Sequence, residues 1–84
     1  MFDIVLERSA EKDLRKLNDK VHGRVIESIS TLADNPRPPG VKKLAGSAND
    51  WRIRVGDYRV LYEIAETIRI VRVYRVRHRK DVSK

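Results

Sequence analysis

Cysteine is absent from the 84 residues, which excludes disulfides, thiolate catalysis and a cysteine-ligated zinc site. Histidine is scarce: only His22 and His78 can supply imidazole, too few for a metal constellation, and no metal or other cofactor is expected. No apolar run approaches the roughly 20 residues needed to cross a bilayer, so no membrane partner is expected. The opening stretch MFDIVLERSAEKDL is charged by its third residue and lacks the apolar block of a secretory signal, so a cytoplasmic location is expected. There is no internal repeat, low-complexity tract or Pro/Ser-rich linker. Residues 1–84 therefore read as a single domain with one modest core.

Positive charge is what the chain has in excess. Nineteen Lys and Arg against twelve Asp and Glu give a net charge of +7. Residues 1–50 carry 9 basic and 8 acidic side chains, whereas residues 51–84 carry 10 and 4. Nine of those ten basic residues fall within 52–80, and eight of the nine are arginine. A merely solvated surface draws on interspersed Lys and Glu. A block of arginine points to a polyanion, with nucleic acid first, an acidic protein second and an anionic membrane third.

The pattern WRIRVGDYRVLYEI, residues 51–64, concentrates this charge. Two alternating runs flank Gly56-Asp57, the signal of a β-hairpin with a two-residue turn. That turn pairs Val55 with Tyr58, Arg54 with Arg59, Ile53 with Val60 and Trp51 with Tyr62. Trp51, Ile53, Val55, Tyr58, Val60 and Tyr62 then share one apolar face, and Arg52, Arg54 and Arg59 share the other. Directly opposed like charges cost up to about 1 kcal/mol, so the cluster is not explained by stability.

Residues 2–7 alternate and read as a first strand. A helix follows, with Ser9 as its cap and Ala10, Leu14 and Leu17 as its stripe. Asn18-Asp19 breaks it, and a second helix runs from about 20 to 34 on Val21, Val25, Ile29 and Leu32. Pro36 ends that helix, and residues 41–50 read as a loop pinned by Leu44. Residues 67–77 form the last strand. The order β-α-α-β-β-β predicts an α+β fold, a largely antiparallel sheet packed on an N-terminal helical hairpin. A three-residue loop, Ala65 to Thr67, pairs Ile64 with Ile68 and Arg59 with Val73. Arg75, Arg77 and Arg79 then extend the parity of Arg59, and Leu61, Val71 and Val73 form an apolar strip on that face which invites a covering partner.

Clustered guanidiniums grip phosphate and stabilise a pentavalent phosphorane, but they stay protonated and make poor bases. Phosphodiester cleavage therefore needs a titratable neighbour: His78, Tyr58, Tyr74, Glu63, Asp81 or a lysine. His78, set among arginines at the end of the basic strand, is the imidazole best placed to exchange a proton near neutral pH.

Lys43-Leu44-Ala45-Gly46, then Trp51 through Tyr62, then His78-Arg79 with Val82, resemble the motifs of the RelE/ParE toxin superfamily, and more nearly its RelE branch. The resemblance spans the whole chain. It implies a ribosome-dependent endoribonuclease that needs no metal and cuts mRNA in the decoding (A) site by 2′-hydroxyl attack, inhibiting translation. A cognate, RelB-like antitoxin would neutralise it in a hetero-oligomeric complex. By position, Arg52, Arg54, Arg59, His78 and Arg79 are the implied catalytic set, with Arg59 stabilising the transition state. Arg52, Arg54, Arg75, Arg77 and Lys80 are the implied RNA contacts. Two departures stand out: Ser83 occupies the place of a C-terminal tyrosine, and arginine fills both positions 52 and 54 where some relatives have lysine. The alternative is a ParE-like, non-enzymatic inhibitor of DNA gyrase on the same fold, and a third reading is a relative that binds RNA without cutting it.

Overall fold

The computed structural model describes residues 1–82. Its elements are β1 (Asp3–Leu6), α1 (Arg8–Arg15), α2 (Asp19–Thr31), β2 (Lys42–Lys43), β3 (Asp50–Val55), β4 (Tyr58–Ala65), β5 (Ile70–His78) and a terminal helical turn, α3 (Arg79–Val82). The five strands lie in the order β1-β5-β4-β3-β2, antiparallel except for the β1–β5 pair. The expected α+β sandwich is present, with β2 and α3 added to the predicted order.

Alternation decides which face of the sheet is buried. Ile53, Val60, Tyr62, Ile64, Val71, Val73 and Val76 meet Ala10 and Leu14 of α1, Val25 and Ile29 of α2, and Leu32 at the C-cap of α2 in one core. Tyr62 is fully buried, and its hydroxyl donates to the Pro36 carbonyl at 2.6 Å, so its polar end is satisfied. The Asn18 side chain caps α2 by accepting from the Val21 N–H. Ser9 does not cap α1: Glu7 occupies the N-cap without a side-chain bond, and the Ser9 hydroxyl donates to the Tyr74 carbonyl at 2.6 Å instead.

The β3–β4 hairpin has the predicted register, pair for pair. Gly56 sits at φ +60, and Asp57 is outside the left-handed region, which is the pattern of a type II′ turn.

The β4–β5 register differs from the one expected. The strand starts at Ile70, and Ile64 pairs with Val71 and Glu63 with Arg72. The connection is longer, closing through Arg69 at φ 55, a left-handed conformation its sequence does not announce. This shift by an odd number of residues turns Val71 and Val73 into the core, both fully buried, so the apolar strip expected on the basic face is absent. A bulge at Tyr74, opposite Leu61/Tyr62, then shifts the register by one residue more, so Arg77 keeps the face expected of it but pairs with Arg59 where Val73 was expected. Residues 41–50 also differ, since Lys42 and Lys43 pair with Arg52 and Trp51 as a short edge strand.

Candidate phosphate-binding site

Strand pairing on β3, β4 and β5 builds the site. Partners directly opposite one another share a face. Arg54, Arg59 and Arg77 are such partners in succession, so they form a row across three strands, at roughly 5 Å per strand. Lys42 and Arg52 make a further like-charge pair at the edge of the same face. Lys42, Arg52, Arg54 and Arg59 line a cleft of about 120 Å³, with Gly40 at its rim. Gly40 has φ +88, a turn open to glycine, and the chain leaves it to bring β2 alongside β3. Lys42 was not singled out from sequence because a two-residue strand shows no period.

Ion pairing separates these cations from the other arginines. Arg37 bridges Glu66, Arg72 bridges Glu63 at 2.6 Å and Glu7 at 3.5 Å, and Arg75 bridges Asp13 at 2.9 Å. Among the described residues, no carboxylate comes within 4.0 Å of Arg52, Arg54, Arg59 or Arg77. Arg54 Nε donates to the Gly56 carbonyl at 3.0 Å, which ties that side chain to the hairpin tip. Arg52 and Arg59 are half-buried, whereas Arg54 is exposed. Opposed, unneutralised guanidiniums form a preorganised anion site.

The remaining predicted residues fall in three places. Arg75 stands apart from the row, since Asp13 of α1 takes its Nε and Nη2 and also accepts the Val76 N–H at 2.8 Å. Arg79 opens α3, where its backbone N–H donates to the Asp57 carbonyl at 2.7 Å and its Nε lies 3.9 Å from Asp57 Oδ1. Lys80 follows on the exposed surface of that turn. His78 is on the other side of the sheet from the row. It pairs with Tyr58, one residue out of step with Arg59–Arg77, and the two rings meet edge to face at 5.1 Å. Its Nδ1 accepts the Lys80 N–H at 3.2 Å. A second cleft of about 360 Å³, between the end of β5 and α1, holds His78 with Tyr58, Lys16 and Asp81. Of the titratable candidates, Glu63 and Tyr74 share the arginine face, while His78 and Tyr58 do not. Ser83, the position of the missing tyrosine, lies outside the described residues.

Comparison with known proteins bears on the family and the fold. A family model described as the ParE toxin of the type II toxin–antitoxin system parDE matches residues 4–82. A protein of Methanocaldococcus jannaschii, named as toxin RelE1, is 30% identical over 86 residues, covering 99% of this chain and 96% of its own. The archaeal RelE–RelB complex of Pyrococcus horikoshii contains a chain that superposes with a TM-score of 0.83 at 25% identity, covering 93% of this chain and 94% of that one. The toxin–antitoxin complex RelBE2 of Mycobacterium tuberculosis gives 0.81 at 29% identity, with coverage of 92% and 96%.

Proposed function

The chain belongs to the RelE/ParE family of toxins from type II toxin–antitoxin systems, and from that premise we propose that it is a ribosome-dependent mRNA endonuclease of the RelE kind. The observation that carries this reading is the row Arg54–Arg59–Arg77, unbridged by any described carboxylate and backed by Arg52 and Lys42 in one cleft.

A phosphodiester laid over the row places its non-bridging oxygens against donors that remain charged throughout the reaction. The 2′-hydroxyl passes its proton to solvent as its oxygen attacks phosphorus, the bond to the 5′-oxygen breaks as that oxygen takes up a proton, and a 2′,3′-cyclic phosphate and a 5′-hydroxyl result. Arg59, at the centre of the row, stabilises the added charge of the phosphorane, while Arg52, Arg54 and Arg77 hold the flanking phosphates. Within the cleft Lys42 alone has a side chain that exchanges protons, so it serves the 5′-oxygen leaving group. Arg79 acts from the adjoining end of β5, where the messenger leaves the row, while His78, on the other side of the sheet, stands outside this step. The cellular partners in this reading are the ribosome and its mRNA in the cytoplasm, together with a RelB-like antitoxin that covers the cationic face.

A ParE-like action on DNA gyrase is the second reading. Two observations favour it: the description of the matching family model, and the orientation of His78 away from the arginines.

Cleavage of mRNA by purified wild-type and Arg59→Ala protein, with and without programmed ribosomes, separates the two. Cuts that require the ribosome, and fall about 10²–10³-fold on loss of Arg59, are expected. An Arg59→Ala protein that cuts and kills like wild type overturns the site assignment. Growth arrest without cleavage, accompanied by trapped DNA breaks and an SOS response, assigns the protein to gyrase.

A further inference from the structure

The face that carries the arginine row does not stay basic along its length. Moving along β4 from Arg59 past Leu61, it reaches Glu63, which lies directly opposite Asp50 on β3 and Arg72 on β5. By strand rise this end lies roughly 13 Å from Arg59. Beside it opens a cleft of about 430 Å³ whose wall includes Tyr74, Asp50, Glu63 and Arg72.

Alternation places Tyr74 on this face, two residues on from Arg72 across the buried Val73, and the bulge falls at Tyr74 itself. Val73 and Val76 both point into the core, so the two residues between them are displaced from strict alternation. Helix α1 pins that irregularity: Ser9 takes the Tyr74 carbonyl, and the Asp13 carboxylate takes the Val76 N–H. The aromatic ring is therefore held by a built feature of the backbone. Around it, Asp50 accepts a bond from Ser47 through Oδ2 at 2.8 Å, and no described donor takes its Oδ1. Arg72 engages Glu63 through Nη1 at 2.6 Å. Burial first, then the charges of Asp50 and Glu63, raise the Tyr74 phenol above its ordinary range, so it is present as a neutral ring. A half-exposed ring, carboxylate acceptors and a guanidinium make a site with a stacking surface and a hydrogen-bonding edge.

We propose that the Tyr74 cleft is a nucleobase pocket, which stacks a base of the RNA held on the arginine row and reads its amino edge through Asp50 and Glu63. The ligand class is a nucleotide whose base carries an exocyclic amino group. Uracil is disfavoured, because its single ring N–H is flanked by carbonyl oxygens that face the carboxylates. This inference rests on the RNA-cleaving reading above and adds a specificity element to it. A lysine-rich protein segment is the competing occupant for an acidic cleft, but the exposed ring and the continuity with the arginine row favour a base.

Short single-stranded RNAs, made uncleavable by 2′-O-methylation and varied through A, G, C and U at one position, test the pocket by fluorescence anisotropy. Wild type should prefer an amino-bearing base to uracil by roughly tenfold. Tyr74→Leu should weaken binding of all such bases by roughly tenfold, whereas Tyr74→Phe should not, since stacking needs only the ring. Asp50→Asn should flatten the preference without abolishing binding, and Arg59→Ala should weaken all four RNAs equally and leave the preference intact. Equal binding of the four RNAs by wild type, or a preference that survives both Tyr74→Leu and Asp50→Asn in proteins with unchanged thermal melts, overturns the pocket alone. Binding of none of them by wild type overturns the pocket alone where programmed ribosomes still support Arg59-dependent cleavage, and removes the RNA reading with it where they do not. Loss of the base-dependent signal to an oligolysine competitor, at concentrations that leave Arg59-dependent binding intact, assigns the cleft to a basic protein segment.

Discussion

Arg59 should be a stability liability as well as a functional residue. Its two cross-strand neighbours, Arg54 and Arg77, are both cationic, and no described carboxylate bridges any of the three. Each directly opposed like-charge pair costs about 0.2–1 kcal/mol. Arg59→Gln keeps much of the stem and removes both repulsions. Allowing for some lost packing of that stem, a net gain of about 0.5–1 kcal/mol is expected at low ionic strength. For a domain of this size that is a rise in Tm of roughly 2–8 °C. The gain should shrink towards zero near 1 M salt, where the Debye length falls to about 3 Å. Arg72→Gln is the internal control: Arg72 bridges Glu63 and Glu7, so its loss should lower stability slightly, by about 0.2–1 kcal/mol. Thermal melts of the three proteins at 50 mM and 1 M salt, run beside the cleavage assay, read both effects. Arg59→Gln should melt higher and cut less. A variant that melts lower at low salt, or whose gain is indifferent to salt, would falsify the claim that the row is held against its own repulsion.

Asp13 should prove structural: it accepts from Arg75 and from the Val76 N–H, so Asp13→Ala should cost about 2–3 kcal/mol and Asp13→Asn, which keeps one acceptor, about 1. The urea midpoint checks this, and a loss below about 0.5 kcal/mol for Asp13→Ala contradicts it. Tyr62→Phe should cost about 1–2 kcal/mol by leaving the Pro36 carbonyl without its donor. Burial holds the Tyr62 phenol far above its ordinary value of 10. Above pH 10 the unfolded chain therefore releases a proton that the folded chain keeps, so wild-type stability is fully present below pH 10 and falls as pH climbs beyond it. The Phe variant should show a shallower alkaline loss in urea titrations at pH 9–11. Lys42→Arg should slow cleavage about as much as Lys42→Ala, by 10²-fold or more, if Lys42 supplies a proton rather than charge alone. Cleavage by Lys42→Arg at the wild-type rate would make Lys42 a phosphate contact.

The β3–β4 hairpin was legible pair by pair because alternation and a Gly-Asp turn both constrain register, and a slip of one residue would turn either Arg59 or Arg52 and Arg54 into the core. The β4–β5 pairing was not, for two reasons that offset each other. A turn closed by Arg69 in a left-handed conformation carries no glycine to mark it, and it moved the register by an odd step. The bulge at Tyr74 then moved it by one more. Arg77 consequently fell where parity had placed it, while Val71 and Val73 went to the opposite side. One trace of this was present in the chain: Val71, Val73 and Val76 are spaced by two and then by three, and a three-residue step between core positions of a strand marks a bulge. What no reading of charge could separate was bridged arginine from unbridged. Of the eight arginines between 52 and 79, Arg72, Arg75 and Arg79 face carboxylates and Arg69 lies over the Phe2 ring, while Arg52, Arg54, Arg59 and Arg77 have no ion-pair partner among the described residues. The chain has twelve acidic side chains with which to neutralise them and sets none there. Repulsion left standing on one face, in a fold that bridges its arginines elsewhere, is the physical reason to assign that face a polyanion rather than a merely solvated role.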